Sequence, residues 1–385
     1  MRALSLDTRG QTLALSDGSQ LAYDKLLIAT GSVPLPLHVP GADRPGVQPL
    51  WTLDHTAQAL AAIQGRNQPR VVLIGAGFIG LIVLNALAKR RCQLTVVERD
   101  EQVLPRMLNA EAAGLVREWL TSRGVDVRCG TTVRAIYPAG AGVLRVELTD
   151  GNAALADLVI VATGVQPNLQ LVAGTDVATD VGILVNGHLE TSCPNVYAAG
   201  DVAEGPVLFS DHVAVHAIQP TAVDHGRVAG ANMAGHLVEY PGSLSMNVLD
   251  VCGLQCASFG HWSQPGVETT TVFHAAGRVY RTLVWTGDRI TGAIFVGRAG
   301  DLGMLTDVGM VKGIMQTHAH LGPWKEYLAE NPLDIRRPFV AARVAERLVG
   351  TTLLGRPSQA RLFPEELRPA APGASHAVFV GTRVP

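Results

Sequence analysis

Charge is scarce in this sequence. Asp, Glu, Lys and Arg make up 17% of its 385 residues, and the net charge is −2. With no basic excess there is no electrostatic footprint for nucleic acid. Cysteine is scarce too: Cys92, Cys129, Cys193, Cys252 and Cys256 are too few and too scattered for a disulfide framework. The amino terminus has no charged stretch leading into an apolar core, so no secretory signal is read and a cytoplasmic setting is expected. No H-E-x-x-H occurs. His212 and His216 sit four apart, where one helix face would hold both, but no third ligand lies near, so no metal is expected.

Apolar material is plentiful, at 47% of residues, and glycines number 41. That suits large buried sheets with many tight turns. Val71–Ala88 is long and apolar enough to raise the question of a membrane span. Three glycines in its first half and charge on both flanks, Arg70 and Lys89-Arg90-Arg91, read instead as a strand turning into a helix. No membrane span is expected.

The pattern along residues 70–164 alternates strand and helix. Val71–Ile74 reads as a strand, Phe78–Arg90 as a helix, Leu94–Glu98 as a strand and Asn109–Arg123 as an amphipathic helix. Val125–Cys129 and Leu158–Ala162 read as further strands, and Val143–Leu148 as a hairpin arm. Such alternation predicts a doubly wound parallel sheet of the Rossmann type, an α/β fold. Ahead of it lies a hairpin around Asp17-Gly18, then a strand over Lys25–Ala29. Residues 245–300 are β-rich, with a hairpin of Tyr280–Trp285 and Arg289–Val296, and residues 303–348 read as helical. Phe339–Val349 is read as one amphipathic helix with Val340, Val344 and Leu348 on its apolar face, before a Pro-, Ala- and Arg-rich tail.

Gly75-Ala76-Gly77-Phe78-Ile79-Gly80 is the sharpest motif. It closes an apolar strand, opens a helix and is followed by Glu98 at the end of the next strand, the context a dinucleotide fingerprint requires. Gly75 is expected to make the turn, Gly77 to let the backbone approach a pyrophosphate, and Gly80 to let helix and strand pack closely. The pyrophosphate belongs on the helix N-terminus. Glu98 would bond the ribose hydroxyls and repel a 2′-phosphate, so NADH is expected ahead of NADPH; Arg99 beside it works the other way. Ala29-Thr30-Gly31 and Ala162-Thr163-Gly164 each close an apolar strand with small residues, one on either side of this domain. Ala198-Ala199-Gly200-Asp201 delivers an acid after small residues, where Asp201 can bind a polyol hydroxyl.

This order of motifs resembles the two-dinucleotide pyridine nucleotide oxidoreductases of the ferredoxin, rubredoxin and nitrite reductase type. The likeness runs from about Ser5 to about Gly313. It implies FAD/NAD(P)-binding Rossmann-type domains with a β-rich C-terminal domain: a first FAD segment over 1–51, an NAD domain over 52–165, a second FAD segment over 166–242, an α+β interface domain over 243–335, and a helix and tail over 336–385. It implies FAD as cofactor, with Thr30-Gly31 beside the flavin, Asp201 on the ribityl chain, and Thr221-Ala222 at a helix start facing the pyrimidine ring. The activity implied is FAD-dependent NADH oxidation, with electrons passed to a ferredoxin- or rubredoxin-like protein or to a small molecule. No single catalytic side chain is singled out.

Two departures shape the expectations. The resemblance implies a strand-glycine turn-helix unit for the FAD pyrophosphate ahead of the first Ala-Thr-Gly turn. No such unit precedes it here, so that half is expected from a longer reading frame or another chain. The competing expectation is a non-catalytic NADH-binding subunit or remnant that cannot hold FAD alone. Ile82 also stands where many members carry a glutamate near the nicotinamide. Homo-oligomerisation is compatible with all of this.

Overall fold

Strands that are apolar at every position must be covered on both faces, and those around the glycine-rich turn are. The structure, a computed structural model, describes residues 1–264, 266–298 and 300–351. Five parallel strands form a sheet in the order 47–49, 158–161, 70–74, 93–97, 126–128. The period of two divides the side chains between two cores. Val71, Leu73, Leu158 and Ile160 pack beneath three helices: α1 (Leu53–Ile63), α2 (Phe78–Ala88) and α3 (Ala110–Thr121). Val72, Ile74, Val159 and Val161 pack against an antiparallel three-stranded sheet of residues 133–138, 144–148 and 153–156. Each fully buried Val, Leu or Ile contributes about 1.5–3 kcal/mol, so this double cover is the main stabilising feature of the domain.

The sheet's outermost strand, Val47–Pro49, lies inside the stretch assigned to the first FAD segment. A strand from before α1, on the N-terminal side of the 51/52 boundary, thus joins the parallel sheet.

Much of residues 1–28 and 169–240 shares one core, while Leu37 and Val39 pack on the core of the antiparallel three-stranded sheet and Leu208 on that of the β-rich region. Leu26–Ile28 pairs in parallel with Val196–Ala198, and Ser32–Pro34 pairs antiparallel with Val165–Pro167. Leu6, Ile28, Tyr197 and Ala198 pack with Val228 and Ala229 of α4 (Gln219–Met233). The two segments are thus interleaved strand by strand across the parallel-sheet region.

The β-rich region is a five-stranded antiparallel sheet in the order 246–251, 254–260, 289–298, 279–286, 268–274. One face, with Val251, Leu254, Cys256 and Val296, joins the core beneath α2 and α3. The other, with Phe259, Leu283 and Phe295, is covered by α5 (Leu302–Gln316) and α6 (Trp324–Glu330). Cys252-Gly253 is the two-residue turn joining 246–251 to 254–260, with φ of 51° and 88°. Cys256 is buried, and burial pushes its thiol pKa far up, so it is an unreactive core residue.

The single helix expected over Phe339–Val349 is broken. Arg343 has φ of 51°, separating α7 (Arg336–Ala341) from α8 (Val344–Thr351). The break turns Val340 outward, 64% exposed, while Val344 is fully buried. Phe339, Val344 and Leu348 press against Gly313 of α5. Helices placed in a separate terminal segment therefore share a core with the interface domain. The expected loose tail, from 352 onward, lies outside the described residues.

Candidate cofactor and nucleotide site

Helix starts leave four N–H groups without intrahelical partners. Three starts here are satisfied by side chains: Thr52 caps α1, Asn109 caps α3 and Asp301 caps α5. The starts of α2, at Gly77, and α4, at Ile218, have no side-chain cap, and neither do the short helices α6 and α7. Of these, the starts of α2 and α4 are the two that the motifs assign to cofactors.

At α2 the three fingerprint glycines differ in what surrounds them. A Cβ on Gly75, which has φ of 102°, would strike the Ala162 carbonyl, and one on Gly80 would strike the Gly75 carbonyl. A Cβ on Gly77 would meet nothing within 4 Å. Gly75 and Gly80 are therefore required by packing, while Gly77 opens on free space where a ligand backbone contact can form. Phe78 and Ile79, half-buried in the first turn of α2, flank that opening. Gly164, with φ of 125°, closes the neighbouring strand two residues beyond Ala162 and accepts a 2.9 Å hydrogen bond from the Leu35 N–H.

Glu98 is 7% exposed and closely held. Its Oε2 accepts a 2.6 Å hydrogen bond from the Ala76 N–H and its Oε1 a 3.0 Å bond from the Asp100 N–H. It clamps the glycine-rich turn to the end of its neighbouring strand, a duty that spacing alone does not disclose. Ile82 is 45% exposed on α2.

The second cluster joins the two segments on either side of the parallel-sheet region. Asp201 Oδ2 accepts a 2.8 Å hydrogen bond from the Ser32 hydroxyl, one residue after Thr30-Gly31. Thr30 Oγ1 donates to the Asn168 carbonyl at 2.8 Å, and the Asn168 N–H returns a 2.8 Å bond to the Gly31 carbonyl. Gly31 has φ of 67° and no atom within 4 Å of a would-be Cβ. Gly200, with φ of 76°, lies against Ala222 in the first turn of α4. The Ser32–Asp201 and Gly200–Ala222 contacts thereby bring Thr30-Gly31, Gly200-Asp201 and Thr221-Ala222 near one another, with open space at Gly31. An opening, a half-exposed acid and an uncapped helix start are features of the kind that the ring and ribityl half of FAD requires.

A cavity of about 650 Å³ opens at the start of α4, between Ile218, Pro220, Thr221 and Asp224 on one side and Met246, Lys312 and Thr317 on the other. Burial pushes the Asp224 carboxyl above its usual range, opposed by Lys312 and Arg227.

His225 and Ser32 are not anticipated by any motif. His225 is 1% exposed; its Nδ1 lies 3.3 Å from the Gly200 N–H and its Nε2 3.4 Å from Ser243 Oγ. Its ring meets Tyr240 edge-on at 4.8 Å. Burial, and secondarily His216, lowers its pKa to about 4, so it is neutral near pH 7 and accepts the Gly200 N–H through Nδ1. The expected shared helix face of His212 and His216 does not form, because both precede α4. Among the described residues no group of three His, Cys, Asp or Glu could hold a metal ion, and no helix is long and apolar enough to cross a membrane.

Residues 1–226, more than half of the chain, match the pyridine nucleotide-disulphide oxidoreductase family, and the chain belongs to it. FAD and NAD(P)H are the cofactors of that class of oxidoreductase. The chain is 31% identical over 345 residues to the NADH-dependent phenylglyoxylate dehydrogenase subunit epsilon of Aromatoleum evansii, covering 89% of this chain and 79% of that one. It is 34% identical over 236 residues to rhodocoxin reductase of Rhodococcus erythropolis, covering 61% of this chain but only 55% of the relative. Among solved structures, a ferredoxin reductase from Rhodopseudomonas palustris aligns with a TM-score of 0.70 at 28% identity, over 78% of this chain and 73% of that one.

Proposed function

We propose that the chain binds NADH at the start of α2 and the ring half of FAD at the start of α4, and oxidises NADH with electrons leaving to a separate acceptor. The observation that carries this is the set of contacts that bring Thr30-Gly31, Ser32, Asp201 and Ala222 together from both sides of the parallel-sheet domain, with open space at Gly31. Accepting hydride and releasing electrons is the chemistry FAD supplies there when bound. The chain's own residues bind and orient. Ser32 holds the Asp201 carboxylate ready for ribityl hydroxyls. The uncapped N–H groups of α4 favour negative charge at the pyrimidine edge. The Gly77 opening and α2 start hold the NADH pyrophosphate.

Among the described residues one glycine-rich turn links a strand to a helix start, at Gly75–Gly80. A second, for the FAD pyrophosphate, is therefore proposed to come from a preceding segment or a partner polypeptide. The names of rhodocoxin reductase and of the assimilatory nitrate reductase electron transfer subunit of Bacillus subtilis support an electron-carrying protein as acceptor. The chain covers 38% of the latter.

Fluorescence titrations of the purified chain with NADH and with FAD test the reading. NADH binding without flavin, together with weak FAD binding that tightens when a strand-glycine turn-helix unit is supplied, is expected. Failure of FAD to bind with that unit present would leave only a nucleotide-binding subunit.

A further inference from the structure

The cavity beside α4 is not the opening at Gly31. Ala222 lies against Gly200, on the side of α4 that faces the Ser32–Asp201 pair. Successive helical residues are about 100° apart around the axis, so Pro220 and Asp224 share the side opposite Ala222. Pro220 and Asp224 line the cavity, and Ala222, Asp201 and Gly31 do not. The cavity therefore opens on the other face of the same helical turn.

Its volume of about 650 Å³ suits a small molecule, and so does its make-up, apolar walls with a few placed polar groups. Leu208, Leu244 and Met246 supply apolar surface, and α5 supplies Lys312. Lys312 is half-buried, yet among the described residues its ammonium makes no hydrogen bond or close ion pair. The carboxyl on the opposite wall, Asp224, is pushed above its usual range by burial and has Arg227 4.0 Å away as a second cation. A half-buried ammonium among apolar side chains is under-satisfied, and an incoming anion would complete it with a charge-assisted hydrogen bond.

We propose that this cavity is a small-molecule site separate from the flavin and nucleotide sites, and that it takes an apolar carboxylate. The hydrocarbon lies against Leu208, Leu244 and Met246, and the carboxylate accepts from the Lys312 ammonium. Asp224 keeps the anion to the α5 side by like charge. The inference rests on the cavity and not on flavin binding, so it stands or falls apart from the function proposed above.

Isothermal titration calorimetry of the full chain with octanoate, and with 1-octanol as its neutral counterpart, tests it. One octanoate per chain is expected, bound at least about tenfold more tightly than 1-octanol, the preference that a charge-assisted bond gives. Lys312→Met should erase that preference while moving 1-octanol less than about threefold, and Lys312→Arg should retain it. Val223 lines the cavity from a position 41% exposed, so Val223→Trp should fill the space and weaken both probes. The melting temperature reports the folding of each variant. Absent octanoate binding, equal affinity for the two probes, or a preference that persists in Lys312→Met overturns the inference. So does displacement of octanoate by FAD, which would make the cavity the flavin's own. A chain ending at Thr351 should bind octanoate as the full chain does. Binding that appears only in the shortened chain would give the cavity to residues 352–385 instead.

Discussion

The Ser32 hydroxyl donates to the Asp201 carboxylate at 2.8 Å, joining two segments that lie on either side of the inserted nucleotide domain. The bond fixes the orientation of the acid. Asp201→Ala should raise the FAD dissociation constant about 10- to 100-fold, since hydrogen bonds to a charged group contribute about 1.5–3 kcal/mol each. Ser32→Ala should weaken FAD less, because the acid remains. Flavin fluorescence titrations of the two variants check the order, and equal affinities of both variants and the unaltered chain would count against it.

The glycines of the fingerprint should separate by property. Gly77→Ala places its methyl in open space, so the melting temperature should hold while NADH binding falls at least tenfold. Gly80→Ala drives a methyl into the Gly75 carbonyl and should cost about 1–3 kcal/mol of stability, as overpacking does. Chemical denaturation paired with NADH titration distinguishes them. A Gly77→Ala variant that binds NADH normally would remove the pyrophosphate from this position.

His225 ties stability to pH. Its folded pKa is lowered to about 4, below the unfolded value of 6.5, so the unfolded chain binds the proton more readily between those values. Stability should be full above pH 6.5 and fall as pH drops toward 4, by up to about 3 kcal/mol from this residue. His216 and His261 shift in the same direction, chiefly through burial, and add to the slope. Urea midpoints measured across this window should decline less steeply in His225→Gln, which can still accept the Gly200 N–H. An unchanged slope would mean that His225 is already charged or exposed in the native state.

The broken terminal helix also has a measurable role. Phe339, Val344 and Leu348 cover the α5 surface around Gly313. Deleting residues from Arg336 onward uncovers the α5 surface around Gly313 and should lower the melting temperature while leaving NADH affinity intact. A melting temperature unaffected by that deletion would show that α7 and α8 stabilise nothing.

What the sequence disclosed and what it concealed follow from the range of the interactions involved. Val71–Ile74, the glycine turn and α2 are legible because apolar runs, small residues and spacing act locally. Val47–Pro49 is not, since a three-residue strand with no period joins its sheet only through the distant Val159–Val161. The outward turn of Val340 hinges on one positive φ at Arg343, which side-chain periodicity does not encode. At the site, Asp201 and Thr30-Gly31 are legible as motif residues. Ser32 and His225 act through partners over a hundred residues away and twenty-five residues away, respectively, and only the folded chain brings them there. Glu98 is legible as an acid at the end of the second strand, but its clamp on Ala76 depends on the close approach of the two strand ends.

Anaerobic addition of NADH to the chain preloaded with FAD, with the visible flavin band as the readout, tests the central claim most directly. If NADH at α2 and the flavin ring at α4 face one another productively, the band should bleach with one NADH consumed per bound flavin. A chain that binds both FAD and NADH while the band stays unchanged would contradict the oxidoreductase account and leave a nucleotide-binding subunit without electron transfer.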